Sequence, residues 1–240
     1  MRSAINFFTI NQLQLEIDPF IKRVFKYFYQ NKPLRPRYDS FWPVDKLLSF
    51  LKSWHPKEEL SLEQLTYKTI ALIAVSSSDR GQTLHMAKVD DIKVHSDRVE
   101  FVINEKTKGT RKILKPIIIS CVVTQDESLD VAAHVLYYIE KTKEWRGDKG
   151  KLFLSPFTKR PVVKSTLAKW LVKVLHLSGI DTNKFKAHSY RGAGLSEAYK
   201  KGASINQIVA AGNWCGPTVF ESYYNAPCQP TPVPNLILNS

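Results

Sequence analysis

Residues 61–75 read SLEQLTYKTIALIAV. Apolar side chains recur here at the spacing of one helix face, at Leu62, Leu65, Ile70 and Leu72. Ser61 followed three residues later by Gln64 forms a capping box, a pattern that begins helices because each side chain binds the other residue's backbone N–H. The stretch therefore predicts an apolar helix that begins after Ser61.

Helical spacing continues on both sides of this stretch. A shorter helix is predicted to precede it from Val44, with its apolar face at Leu47, Leu48 and Leu51. Further helices are predicted downstream, at residues 129–143, 165–177, 188–200, 205–211 and 219–224. Helices therefore dominate the predicted fold.

Two strands are predicted between these helices. Val99, Phe101 and Ile103 alternate with Glu100, Val102 and Asn104, and a lysine-rich turn at 106–111 leads into a second strand at 113–121. Residues 152–154 are a further candidate for a short strand. The predicted fold class is mainly α with a small antiparallel β-sheet, an α+β arrangement.

The charge balance favours a polyanionic partner. The 240 residues contain 35 Lys and Arg against 22 Asp and Glu, a formal net charge of +13. At 43% hydrophobic residues the chain is too apolar for a disordered polyelectrolyte, so a packed domain is expected. Residues 202–240 contain no Lys or Arg, which confines the excess charge to the earlier part of the chain. Nucleic acid is the partner that this distribution favours.

The cysteines indicate a reducing compartment. Cys121, Cys215 and Cys228 stand at unrelated spacings, which fits neither a disulfide framework nor a zinc site. No apolar run approaches the roughly 20 residues of a membrane span. A nuclear or cytoplasmic protein without a membrane partner is expected.

Several segments of the C-terminal third carry residues suited to phosphate chemistry. His188 and Arg191 stand three residues apart, so on a helix they share a face and can address one ligand. Gly212 and Trp214 follow about 20 residues later, and FESYYNAP occupies 220–227. Together these segments resemble the tyrosine recombinase (phage integrase) family, whose motif runs His-x-x-Arg, then Gly-His or Gly-Trp, then a nucleophilic Tyr. The phrases at 185–189, 210–212 and 220–227 are particularly similar to recombinases of DIRS-like and Crypton-like eukaryotic mobile elements.

The resemblance extends upstream and covers roughly residues 40–227 in the family's order. It implies a first arginine after an apolar helix, and Arg80 fills that place. It also implies a lysine in a β-hairpin, for which Lys108 is the first candidate and Lys106 the second. The fold that it implies is the tyrosine recombinase catalytic domain.

The implied chemistry needs neither a metal nor a nucleotide cofactor. The guanidinium groups of Arg80 and Arg191 can fork onto the oxygens of one phosphate and stabilise charge in the transition state. A tyrosine hydroxyl with a pKa of about 10 needs a base, which makes His188 the candidate proton acceptor. Lys108 would protonate the leaving 5′-hydroxyl. Trp214 can donate an N–H to the phosphate but cannot carry a proton, so its role would be positioning.

Two adjacent tyrosines compete for the role of nucleophile. The commonest family spacing favours Tyr223, whereas the mobile-element phrase favours Tyr224, and we adopt Tyr224. Neighbouring helical positions point about 100° apart, so only one of the two can face the phosphate. The sequence also departs from the family pattern, because Gln82 and Thr83 stand where an acidic residue is common and Asn213 is inserted before Trp214. Trp214 is alternatively an ordinary core aromatic.

The resemblance implies site-specific recombination or integration of double-stranded DNA through a covalent 3′-phosphotyrosyl intermediate. The alternatives are a decayed or domesticated DNA-binding module and a type IB topoisomerase-like activity. Residues 1–38 are expected to be the end of an N-terminal core-binding region with a basic linker, 39–227 the catalytic domain, and 228–240 a C-terminal tail. The tail is expected to dock on a neighbouring protomer of a tetramer on DNA.

Overall fold

The computed structural model describes residues 19–31, 37–105, 116–146, 150–212, 214 and 216–223. The chain divides into two units, Met1–Arg37 and Tyr38–Ser240. In the first unit, helix α1 spans Pro19–Asn31 and exposes Phe20, Tyr27 and Phe28. The C-terminal tail and the turn at 106–111 lie outside the described residues.

The second unit is mostly helical. Its helices are α2 (Val44–Lys52), α3 (Leu62–Ser77), α4 (Gly81–Met86), α5 (Val131–Lys141), α6 (Lys143–Arg146), α7 (Lys164–Leu177), α8 (Ser189–Lys200), α9 (Ile205–Ala211) and α10 (Thr218–Tyr223). Its strands are β1 (Ile92–Val94), β2 (Arg98–Ile103) and β3 (Ile117–Val122), which form an antiparallel sheet in the order β1-β2-β3. The predicted fold class is confirmed.

Helix α3 is the centre of this unit. All residues from Leu65 to Val75 are buried, because α3 contacts α5, α7, α8 and β3 on its different sides. The predicted capping box is present: the Gln64 N–H donates to Ser61 Oγ at 3.2 Å, and the Ser61 N–H donates to Gln64 Oε1 at 3.1 Å. Helix α3 therefore begins at a defined residue, and α5, α7, α8 and β3 pack around it.

The sheet follows the predicted alternation. Val99, Phe101 and Ile103 are buried, and the residues between them are half-buried. Phe101 pairs with Ile92 on β1 and with Ile119 on β3. One face of the sheet therefore packs on the helices, as a half-buried antiparallel sheet requires.

Three local features differ from the sequence prediction. Helix α4 and strand β1 were not predicted, because each is too short to show a periodic pattern. Residues 152–154 are buried but form no strand; Leu154 makes a single bridge to Pro161, and its N–H donates to the Tyr138 hydroxyl at 3.0 Å. Burial of a short apolar run does not distinguish a strand from a packed loop.

The apolar residues of this unit form two clusters. The main core consists of buried residues between Tyr38 and Ala193 and includes the interior of α3. The small core consists of Leu195, Ile208 and Phe220, with Trp214 packed against it. None of the helices within the described ranges is long and apolar enough to span a membrane.

Candidate active site

The first arginine follows a tight turn at the end of α3. Ser78 caps the helix in the left-handed conformation, with φ 54°, and is buried. The Asp79 N–H donates to Ser77 Oγ at 3.2 Å, which holds the turn closed. Arg80 comes next, exposed at the start of α4, and its carbonyl accepts from the Thr83 N–H at 2.7 Å. The turn therefore presents Arg80 at the surface, directly beside the buried end of α3.

Arg191 is buried in the first turn of α8, with only 3% of its surface exposed. Its Nη1 donates to the Ser78 carbonyl at 2.9 Å, and its Nη2 donates to the Gly212 carbonyl. Its guanidinium carbon lies 4.8 Å from the centre of the Trp214 ring. One side chain thus joins the turn after α3, the end of α9 and the tryptophan.

Two glycines bring α8 close to its neighbours. A Cβ on Gly194 would lie 2.4 Å from the Val75 carbonyl oxygen and 2.9 Å from Ser78 Oγ, and a Cβ on Gly192 would lie 2.0 Å from the Phe41 ring. Only glycine fits at such distances, and this close approach lets Arg191 reach the Ser78 carbonyl. Gly192 and Gly194 were not predicted to belong to the site, although glycine within a helical pattern is a signal of close packing.

The Gly212–Trp214 segment connects the arginine to the small core. Gly212 ends α9, and a Cβ there would lie 2.4 Å from the Trp214 ring. The Trp214 ring lies 6.2 Å from that of Phe220, at an angle of 34°. Trp214 is therefore both a stacking partner of Arg191 and a packing residue of the small core.

Asp79 was not predicted to belong to the site either, but its carboxyl has a raised pKa. Burial raises the pKa of its carboxyl to about 6, while the positive charge of Arg191, a hydrogen bond from the Ser77 hydroxyl and the charge of Arg80 each act to lower the pKa. The same carboxyl contributes to raising the pKa of Cys121, on β3, to about 12, although burial is the larger cause there. Asp79 therefore lies within electrostatic reach of both arginines and of the sheet.

The structure describes only some of the other residues that were predicted from the sequence to form the site. His188 is exposed at the position before α8. Lys106 and Lys108 lie outside the described residues, as does Tyr224. Tyr223 is the last residue of α10, and its side chain is not among those that the structure describes. Of the predicted site, the structure brings Arg191 and Trp214 into contact and brings both arginines near Asp79.

The ionisable residues offer no obvious metal centre within the ranges described. Among these residues, no group of three or more His, Cys, Asp and Glu side chains is arranged to hold a metal ion. The contacts made by Arg191 join segments that the chain order separates widely. Guanidinium groups such as those of Arg191 and Arg80 suit a phosphate or another oxyanion.

Comparison with known proteins supports the fold assignment. No protein-family model matches the sequence, and a search of curated proteins found no match. Among solved structures, XerH site-specific recombinase in a post-cleavage complex with a palindromic difH substrate has a TM-score of 0.62 at 16% identity, covering 84% of this chain and 54% of that one. XerA recombinase has a TM-score of 0.58 at 12% identity, covering 99% and 81%.

A third similar structure is lambda integrase. Its dimer bound to a COC′ core site has a TM-score of 0.53 at 15% identity, covering 83% of this chain and 51% of that one. Its tetramer bound to a Holliday junction has a TM-score of 0.52 at 16% identity. The chain thus spans about half the length of the XerH and lambda integrase chains.

This is the tyrosine recombinase catalytic-domain fold. In that fold, the central helix α3, the small sheet and α8 hold the Asp79–Arg80 turn next to Arg191.

Proposed function

We propose that this chain is the catalytic domain of a tyrosine recombinase, which cleaves and rejoins DNA through a covalent 3′-phosphotyrosyl intermediate. The observation that carries the proposal is the position of Arg191. Its guanidinium joins the turn before Arg80 to Gly212 and Trp214, so three segments picked out by the sequence motif meet at one side chain.

Arg80 and Arg191 are proposed to bind the scissile phosphate. The two backbone carbonyls fix the plane of the Arg191 guanidinium, and Arg80 is exposed at the start of α4. Two guanidiniums on one phosphate would stabilise the charge that develops in the pentacoordinate transition state, and a preorganised donor of this kind is worth about 2.7–4 kcal/mol.

The proton transfers are proposed to involve His188, Lys108 and Tyr224. His188 is exposed at the start of α8, where it can accept the tyrosine proton as the phosphotyrosyl bond forms. Lys108 would donate a proton to the leaving 5′-oxygen, with Lys106 as the alternative. Tyr224 would be the nucleophile, with Tyr223 as the alternative, and Trp214 would position the phosphate by its indole N–H.

The proposed partners are double-stranded DNA and further copies of this chain. The net charge of +13 supports DNA binding. The fold shared with the lambda integrase tetramer bound to a Holliday junction supports assembly into a tetramer on DNA. A mobile-element origin and residence in the nucleus or the cytoplasm are further parts of the proposal.

The test is covalent trapping on nicked suicide duplexes that contain a randomised region. Cleavage would release a short fragment and leave the protein on the 3′-phosphate as an adduct that survives denaturation, whose DNA can then be sequenced. We expect an adduct with the unaltered protein and with Tyr223→Phe, but none with Tyr224→Phe. Tyr137→Phe, on α5, serves as the matched control and should form the adduct normally.

The other outcomes identify the alternatives. An adduct from both Tyr223→Phe and Tyr224→Phe would contradict the proposed nucleophiles. DNA binding without any adduct would indicate a decayed binding module, and relaxation of supercoiled plasmid by a monomer would indicate a topoisomerase-like enzyme.

A further inference from the structure

Residues 38–42, the aromatic segment, read YDSFW and precede α2. Each of these five residues contacts the stretch at 184–192, which leads into α8 and contains its first turn. Tyr38 and Trp42 are buried in the main core, with 7% and 4% of their surfaces exposed. The aromatic segment therefore lies against the part of α8 that carries His188 and Arg191.

A buried hydrogen bond joins Trp42 to Ser189, the first residue of α8. The Trp42 Nε1–H donates to Ser189 Oγ at 2.8 Å, and both side chains are buried. The Trp42 ring also meets the ring of Tyr190 edge-on, with the two centres 5.3 Å apart. Because a buried indole N–H needs a hydrogen-bond partner, this bond fixes where α8 begins relative to the aromatic segment.

Phe41 continues the contact along α8. A Cβ on Gly192 would lie 2.0 Å from the Phe41 ring, so the ring packs directly on the helix backbone. The aromatic segment thus touches the residues on both sides of Arg191, which are Tyr190 and Gly192. The backbone of Arg191 can therefore not move without displacing one of these aromatic rings.

The start of the aromatic segment holds the stretch that leads into α8. The Tyr38 ring lies 5.5 Å from that of Phe185, and the Tyr38 hydroxyl accepts from the Lys186 N–H at 3.4 Å. Lys184 Nζ lies 2.7 Å from Asp39 Oδ1 in an exposed ion pair. Exposed ion pairs contribute little because water screens them, so the buried rings carry most of this contact.

Helix α8 depends on contacts of this kind because of how it begins. Helices α3 and α9 each start with a capping box, in which a serine and a glutamine bind each other's backbone N–H. The sequence at the start of α8, HSYR at 188–191, does not contain this motif. The first turn of α8 is therefore held by side chains from other segments, of which the aromatic segment supplies Phe41 and Trp42.

We propose that Trp42 is a positioning residue for DNA cleavage, which acts through Ser189 to hold the His188 imidazole and the Arg191 guanidinium at the phosphate. The phosphate belongs to the proposed recombinase function, so the inference rests on that function, but the hold of Trp42 on α8 does not. Trp42 is enclosed in the main core and is not available to DNA. Loss of its N–H should therefore slow cleavage without weakening DNA binding.

The rate of adduct formation tests this role. Trp42→Phe removes the N–H and keeps an aromatic ring. On the suicide duplex recovered from the randomised pool, this variant should form adduct at least about tenfold more slowly, because small displacements of catalytic groups are costly. Its affinity for that duplex should stay the same as that of the unaltered protein. An unchanged adduct rate, or a loss of affinity that accounts for the slower rate, would overturn the inference.

Trp170→Phe is the matched control for stability. Trp170 lies on α7, is also buried, and packs against the ring of Tyr67. The two tryptophan variants should unfold at similarly reduced temperatures, but Trp170→Phe should keep the adduct rate of the unaltered protein. Equal slowing by both variants would mean that Trp42 acts through stability alone, which would overturn the inference.

A double-mutant cycle tests whether the bond to Ser189 makes the connection. Ser189→Ala removes the acceptor, so it should slow adduct formation about as much as Trp42→Phe. The double variant should be no slower than the slower single variant, because both changes break the same bond. Slowing that multiplies in the double variant would contradict a connection through Ser189.

NMR relaxation of the protein without DNA separates this inference from the recombinase proposal. In Trp42→Phe and in Ser189→Ala, the His188 Cε1–H and the Arg191 Nε–H should move with larger amplitude on the picosecond-to-nanosecond timescale. Trp170→Phe should leave both signals unchanged. If the unaltered protein forms no adduct on any duplex, the recombinase proposal fails, and these signals still decide whether Trp42 holds the two side chains. Unchanged motion in Trp42→Phe would overturn the inference.

Discussion

The main core and the small core differ in what holds them together. The main core surrounds α3, whose residues from Leu65 to Val75 are all buried, and it includes the inner face of the sheet. The small core has three buried residues, Leu195, Ile208 and Phe220, with Trp214 packed against it. Arg191 connects the two, because it donates to Ser78 at the end of α3 and to Gly212 beside Trp214.

The two cores therefore support different parts of the candidate site. The main core fixes the Asp79–Arg80 turn, whereas the small core carries Trp214 and α10, the helix that ends at Tyr223. Regions with few buried apolar contacts open at lower free energy than the global transition. We therefore expect damage to the main core to unfold the whole unit, and damage to the small core to impair cleavage before it impairs folding.

The largest effect is expected from Ile70→Ala. Ile70 is completely buried in α3, so the substitution leaves a cavity in the main core and should lower the free energy of unfolding by about 2–5 kcal/mol. Denaturant unfolding monitored by circular dichroism measures this change. A loss no larger than that of a surface variant such as Phe157→Ala, which removes a side chain that is 74% exposed, would contradict the central place of α3.

Gly194→Ala should have the next largest effect. Its Cβ would meet the Val75 carbonyl at 2.4 Å, so α8 must move away from α3, at a cost of about 1–3 kcal/mol. The same movement should draw Arg191 away from Ser78 and slow DNA cleavage. The matched control is Gly81→Ala, because a Cβ at Gly81 would meet nothing within 4 Å. Equal stability of the two variants would show that α8 is not tightly packed at Gly194.

The main core should also make the protein sensitive to acid through His134. Burial lowers the pKa of this histidine to about 4, and Nδ1 is 2.6 Å from the Asp130 carbonyl. The fold therefore disfavours protonation, and stability should fall by about 1–2 kcal/mol as the pH decreases from 6.5 toward 4. His134→Asn can keep the bond to Asp130 and removes the titration. Its stability should depend less on pH over this range, and an identical pH profile would contradict the assignment.

Phe220→Ala should change global stability least. Loss of a buried phenylalanine commonly costs about 3–5 kcal/mol. Here we expect about 1 kcal/mol in global unfolding, because the small core can open by itself. Amide hydrogen exchange in α9 and α10 should nevertheless become faster, and adduct formation should fall at least tenfold. A global loss as large as that of Ile70→Ala would show that the two cores unfold as one.

Much of the fold could be predicted because its periodic signals are long. The alternation at Val99, Phe101 and Ile103 marks a buried strand face, and Ser61 with Gln64 fixes the start of α3. Arg191 and Trp214 were selected from the sequence by residue type, but their contact and the burial of Arg191 were not predicted. That burial depends on close approach at Gly192 and Gly194 and on the turn at Ser78, which are contacts between distant segments. Local patterns carry no such information.

The raised pKa of Asp79 could not be predicted from the sequence for the same reason. A lone aspartate before an arginine resembles any polar turn, and the burial that raises its pKa depends on the folded structure. The different exposure of His188 and Arg191 could not be predicted either, because His188 is exposed and Arg191 is buried although they stand three residues apart. Spacing along a helix does not determine burial.

The most direct test of the account is a crystal structure of this chain bound to its cleavage-site duplex. We predict that the guanidiniums of Arg80 and Arg191 both lie within hydrogen-bonding distance, about 2.7–3.1 Å, of non-bridging oxygens of one phosphate. Arg191 should keep its bonds to the Ser78 and Gly212 carbonyls in that complex. A scissile phosphate that contacts only one of the two arginines, or an Arg191 that stays enclosed without touching DNA, would contradict the central claim.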